Sequence, residues 1–222
     1  MRTSAVYAIS VLVLLAICPS LLAHPVMAFD TKFLLNSADL VCHAKVISVG
    51  PHEVEKDPQF HPPLETEGSI AKATVINVIK GERLSSIDVV FRKPTITVFY
   101  TQLRQGEEAI LFLKKEREYY RFVDDHNGTL QIPPHKALRY SSESPENRMI
   151  AELIFATESD SGAIRLQCTE QLGKFANSDV ILHLKQLAEN EDMALKGTAY
   201  TSLIELDQPP EVEELTAFFA RQ

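Results

Sequence analysis

Pro133-Pro134-His135-Lys136-Ala137-Leu138-Arg139-Tyr140-Ser141-Ser142 divides this chain in two. Before it, apolar residues alternate with polar ones, the period of a sheet. After it, they recur at helical spacing along one stripe. The paired prolines end the first pattern because neither can donate to a strand ladder. The change predicts an α+β protein: an antiparallel β region followed by a short all-α region.

Working back from the prolines, Tyr119–Val123 and Thr129–Ile132 flank Asp124-Asp125-His126-Asn127-Gly128. Asn-Gly is a strong hairpin signal, since both residues tolerate positive φ. Gln105-Gly106 turns the chain into an apolar strand over Glu108–Lys115. Ile87, Val89 and Phe91 alternate in another, and Thr95 to Tyr100 has the composition for one more. Ser69–Lys80 reads as a strand with a bulge near Asn77, where Val78 breaks the phase of Ala73 and Val75. Gly50–Gly68, rich in Pro, His and acid, reads as a long loop. Leu40, Cys42, Ala44 and Val46 form the apolar face of the first strand, which places His43 on its solvent face.

Working forward, Pro145 and Glu146 suit the first turn of a helix reaching about Ala156. Further helices are expected over Ile164–Phe175, from a Ser178 cap to about Glu189, over Glu191–Leu206, and from Pro209-Pro210 to about Ala220. Six apolar or small residues, Cys168, Leu172, Phe175, Ile181, Leu184 and Leu187, each have a counterpart 31 positions on: Ala199, Leu203, Leu206, Val212, Leu215 and Phe218. Two stacked helical hairpins would bury these faces on each other.

Composition sets further bounds. Arg2 precedes an apolar run from Ala5 to Cys18, ended by Pro19-Ser20. The run is short for a membrane span and fits an export signal over residues 1–28, cleaved after Ala28 or, less favourably, after Ala23. Leu15-Ala16-Ile17-Cys18 departs from a lipobox at Ile17. The mature chain is expected to be secreted or periplasmic, with no membrane association. Residues 29–140 carry 15 Lys/Arg against 15 Asp/Glu, while residues 141–222 carry 6 against 15. These spans are the expected domains. The acidic second half disfavours nucleic acid as a partner. Cys42 and Cys168 read as buried fillers of separate regions, so no disulfide is expected.

The stretches Ser37–Val46, Val75–Gly81 (VINVIKG) and Gly106–Leu113 (GEEAILFL) resemble the tissue inhibitors of metalloproteinases and netrin-like modules. The resemblance covers roughly residues 36–132. It implies a small OB-like antiparallel β-barrel for the first region. The second resembles HEAT-type repeats, and exported bacterial proteins share the strand pattern. The inhibitory ridge of that family needs a mature N-terminal Cys. Cleavage here leaves Phe29 or His24, so the resemblance carries no functional residue across.

Motifs for chemistry are weak. Ser69-Ile70-Ala71-Lys72 matches Ser-x-x-Lys but lies on a strand, where Ser and Lys face opposite ways. His52, Glu53, Glu55, Asp57, His61, Glu65 and Glu67 are metal-ligand types without a fixed frame, and solvated-loop roles explain them. His24, were it N-terminal, lacks a partner motif for copper. Tyr119–Phe122 with nearby Lys and Arg suits core packing better than base stacking. Asn127-Gly128-Thr129 is a glycosylation sequon only in a eukaryotic secretory route. No catalytic residue, metal site, cofactor or enzymatic activity is expected. The expected function is protein binding, with Glu211, Glu213 and Glu214 as candidate contact residues. The alternatives are a peptidase inhibitor acting through the Gly50–Gly68 segment and an enzyme with an unrecognised site.

Overall fold

A computed structural model describes residues 30–57, 64–95, 99–140 and 144–220, excepting the side chains of 54–57 and 64. The expected signal segment and His61 lie outside the described residues. The α+β class is observed. Strands precede Pro133, and five helices follow Ser144.

One helix was not foreseen. Helix α1 (Thr31–Ser37) precedes the strands, capped by Asp30, whose carboxylate accepts from Phe33 N at 2.9 Å. This cap satisfies one of the amides that a helix start leaves unpaired. The helix buries Leu34 and Leu35, each contributing about 1.5–3 kcal/mol relative to exposure.

Six strands follow: β1 (Leu40–Asp57), β2 (Leu64–Lys80), β3 (Ser86–Arg92), β4 (Glu108–Glu116), β5 (Tyr119–Phe122) and β6 (Thr129–Gln131). Their hydrogen-bonded order is β1-β2-β3-β5-β4-β6, and β1 also pairs with β4. All pairings are antiparallel except β3–β5, which meet in parallel at Val89 and Tyr120. Gly81 ends β2 at φ +99°, where a Cβ would come within 2.5 Å of Asp39 O. Only glycine suits both that dihedral and that approach.

Three strand expectations need correction. Gly50–Gly68 is not a loop throughout: its ends extend β1 and β2 into a ribbon paired from Pro51–Ser69 to Asp57–Leu64. Alternating cross-strand pairing prevails there over the Pro- and acid-rich composition. Asn127-Gly128 makes no hairpin. β5 and β6 both pair with β4, one after the other, and Asp124–Asn127 is an excursion between them. Neither Asn127 nor Gly128 has positive φ; Arg117, at φ 54°, makes the turn between β4 and β5. The described residues of Thr95–Tyr100 are not strand.

Helices α2 (Pro145–Ala156), α3 (Gly162–Leu172), α4 (Ser178–Leu187), α5 (Met193–Glu205) and α6 (Val212–Phe219) complete the chain. Asn177, rather than Ser178, caps α4, accepting from Asp179 N at 2.8 Å. The first residues of α3 and α5 are 31 positions apart, and Cys168, Leu172, Ala199 and Leu203 are all buried. Val212 breaks the repeat's burial pattern, being 72 % exposed.

Both faces of the central strands are covered. Leu40, Cys42 and Ala44 of β1 pack with Leu111 and Leu113 of β4 in one apolar cluster. The opposite phase, with Val41, Ile110 and Phe112, packs against α1, Met149 and Leu153 of α2, and the later helices. The uninterrupted run Ala109–Leu113 on β4 is the sequence signature of a strand buried on both faces. Cys42 and Cys168 are free thiols in these two separate clusters. Burial pushes both thiols up to about 12.

Candidate functional site

The seam between the strands and α2 contains polar groups where an apolar core would be simplest. α2 buries Met149, Leu153 and Ala156 at helical spacing, and Glu152 falls in the same stripe with no exposure. His43 lies on the covered phase of β1, beside Val41, and is also fully buried. This corrects the expectation of a solvent-facing histidine. β1 does alternate, but helices cover its second face. His135 enters from the segment after Pro133-Pro134, with its side chain 6 % exposed.

The β2 bulge contributes as well. Pairing shifts between His43–Asn77 and Ala44–Val75, so Ile76 is left without a counterpart. The Asn77 amide then donates to Leu138 O at 3.1 Å and to Glu152 Oε1 at 3.4 Å. Tyr140 OH donates to the same Oε1 at 2.6 Å. One carboxylate oxygen of Glu152 is therefore fully engaged.

The other oxygen faces the histidines. Glu152 Oε2 lies 2.9 Å from His135 Nε2, close enough for an ion pair but not aligned as a hydrogen bond. His135 Nδ1 is 2.9 Å from Pro133 O. A carbonyl only accepts, so Nδ1 carries the proton and Nε2 is left toward the carboxylate. The His43 ring stacks on that of His135, with centroids 4.4 Å apart. Phe155 lies 4.3 Å from His135, centroid to centroid. Neither nitrogen of His43 has a hydrogen-bond partner. Its nearest carboxylate, Glu108 Oε2, is 3.6 Å from Nε2, and Lys45 holds the other Glu108 oxygen at 2.9 Å.

An unsatisfied buried polar group costs about 1–3 kcal/mol. The two rings respond oppositely to their surroundings. Burial lowers the His43 pKa, and the neighbouring His135 adds to that, against the pull of Glu152 and Glu108. Burial also works against a charge on His135, but Glu152 and the Pro133 carbonyl prevail and raise its pKa. Burial thus favours the neutral form of His43, whereas Glu152 and the Pro133 carbonyl favour the charged form of His135.

Among the described residues, His43, His135 and Glu152 are the one group of three His, Cys, Asp or Glu side chains whose ligand atoms converge, all lying within 4.8 Å of one another. Two imidazoles and a carboxylate are ligands of divalent transition metals. Among the described residues, His52, Glu53, Glu65 and Glu67 of the β1–β2 ribbon do not converge in this way. His52 instead meets the Tyr119 ring edge-on at 5.9 Å, and Glu67 pairs with Lys93 at 2.6 Å. Tyr120 and Phe122 are core residues.

Glu211, Glu213 and Glu214 are exposed around the start of α6. Nearby, a cleft of about 460 Å³ is lined by Lys185, Tyr200, Pro210, Glu211, Glu214 and Phe218 among others.

Sequence reasoning missed His43, His135 and Glu152 as a group. Two signals could have found them. Glu152 interrupts an otherwise apolar helical stripe, and the continuous apolar run on β4 requires a cover for the His43 face of its neighbour. Compared with known proteins, the chain matches no family model and no curated protein.

Proposed function

We propose that this chain is an exported, non-catalytic protein-binding module. In this reading the strands form an OB-like barrel similar to that of netrin-like modules, and the HEAT-like helices supply the contact face. The strand order supports it: pairing runs β1-β2-β3-β5-β4 and returns to β1 through β1–β4. The 31-residue offset between helices supports the repeat.

The observation that carries the binding role is the surface of the last helices. Ile204, Val212 and Phe219 are 50 %, 72 % and 66 % exposed. Ile204 and Phe219 line one cleft with Glu170 and Glu205, and Glu211 and Glu214 line a neighbouring one that shares Tyr200 and Phe218 with it. Large apolar side chains rimmed by charge are the make-up of a protein contact. The complementary partner presents an apolar centre with a basic rim.

Capture from the native exported proteome by the immobilised mature chain tests this. One partner is expected, with capture weakened at least about tenfold by Phe219→Asp and by joint reversal of the three glutamates to Lys, as for central contact residues. A partner retained equally by both variants, or turnover of a substrate, would overturn the reading.

The β1–β2 ribbon favours a second reading, a peptidase inhibitor. Its two strands pair with each other from Pro51–Ser69 to Asp57–Leu64, a two-stranded element of the kind that can enter a cleft. Stoichiometric loss of peptidase activity, abolished by trimming 54–66, would select it.

A further inference from the structure

We propose that His43, His135 and Glu152 form a binding site for one divalent transition cation of the zinc class, clamping the strand layer to α2. The site goes beyond the binding role proposed above and does not depend on it.

Three observations converge. Each ligand comes from a different part of the chain: β1, the segment after the prolines, and α2. Their donor atoms lie within 4.8 Å of one another. The His43 ring is fully buried with neither nitrogen hydrogen-bonded. A buried imidazole with no hydrogen bond, and with only the Glu108 carboxylate 3.6 Å from Nε2, has nitrogens available for coordination, and a buried polar group without such a role costs stability. Finally, the surrounding contacts leave one coordinating atom free on each of the other two groups. Pro133 O takes the Nδ1 proton of His135 and leaves Nε2. Tyr140 and Asn77 occupy Oε1 of Glu152 and leave Oε2. Metal-binding histidines and carboxylates are oriented by such outer partners.

Nε2 and Oε2, at 2.9 Å without alignment, need a positive charge between them. A bound cation would supply it and engage His43 as well. Zinc with three protein ligands leaves a fourth position, which a water molecule can take. Binding would turn the imidazoles from their stack toward the shared ion.

The test uses the full mature chain, stripped with chelator and titrated with zinc. Nitrogen-15 NMR of the histidine rings reads the wild type directly. One zinc per chain is expected, shifting one ring nitrogen of each of His43 and His135 while His52, His126 and His183 stay unchanged. His43→Leu should fold, since it places an apolar side chain in a buried site, yet bind zinc at least about 100-fold more weakly. Tyr140→Phe should weaken binding about 10–100-fold through loss of an outer contact. Unshifted His43 and His135 rings at saturating zinc, or equal zinc affinity in folded His43→Leu, would overturn the proposal.

Discussion

The imidazole rings of His43 and His135 stack 4.4 Å apart and within 18° of parallel, one from the first strand and one from the segment that ends the β region. The contact joins the two halves of the chain at a point where His43 is fully buried and His135 partly so. A proton on either ring discourages a proton on the other, so the pair carries at most one charge comfortably. Glu152 directs that charge to His135.

Removal of Glu152 should therefore be costly. Glu152→Ala takes from the Tyr140 hydroxyl its acceptor, from the Asn77 amide one of its two acceptors, and from His135 its facing carboxylate. A loss of about 3–5 kcal/mol is expected in metal-free protein, as for breaking one side of a buried ion pair. Tyr140→Phe removes one hydrogen bond and should cost about 1 kcal/mol. Urea unfolding in the presence of chelator measures both.

His43→Leu should behave in the opposite way. Without metal, His43 is a buried polar ring lacking a hydrogen bond, and leucine removes that burden. Metal-free stability should be unchanged or higher by up to about 1 kcal/mol. Thermal unfolding with and without zinc separates the effects: the variant keeps its midpoint but loses the rise that zinc gives the wild type by binding only the folded state.

Acid should weaken the fold partly through His183. Burial lowers its pKa below 6.5, against the pull of Glu158. Its Nε2–H donates to Thr157 Oγ1 at 2.8 Å, because the Thr157 hydroxyl proton is given to Ile154 O. The unfolded chain takes up this proton more readily than the folded one. The contribution is thus complete above the unfolded pKa of about 6.5 and is lost as pH falls below it toward the folded value. Stability measured from pH 7.5 down to about pH 5 should fall less steeply in His183→Gln. The comparison isolates His183 from His135, which titrates in the opposite sense.

Gly128 separates the two readings of Asn127-Gly128. A Cβ there would lie 2.3 Å from the Phe122 ring. Gly128→Ala should cost about 1–3 kcal/mol by overpacking. Asn127→Ala loses only the bond from its amide to Asp124 Oδ2 at 2.9 Å and should cost about 1 kcal/mol or less. Denaturant midpoints of the two variants make the comparison. A hairpin turn would instead have made both positions sensitive through their positive φ.

The two periodicities were legible because they are local. Apart from the outer halves of β1 and β2, read as loop, the strands and helices α2 to α6 follow from alternation, from helical spacing and from stops such as Pro133-Pro134. The bulge at Asn77 was legible too, as a break of phase at Val78. What could not be read was which surfaces meet. Polar residues within β1 suggest water on one face, yet α1 and α2 cover it, and that contact is set by tertiary packing. The seam cluster suffered most, since His43, His135 and Glu152 come from three elements distant in sequence. Asn127-Gly128 failed for a different reason: β4 offers one long edge, and pairing both β5 and β6 along it satisfies more backbone than folding them on each other. Glu211, Glu213 and Glu214, read as candidate partner contacts, are exposed, and acidic residues at a helix start also favour the helix dipole.

Anomalous diffraction at the zinc edge, from crystals of the mature chain grown with one equivalent of zinc, addresses the seam most directly. The expected result is a single peak about 2 Å from a nitrogen of His43, from His135 Nε2 and from Glu152 Oε2. A map without density there, with the two rings still stacked and Nε2 still against Oε2, would contradict it.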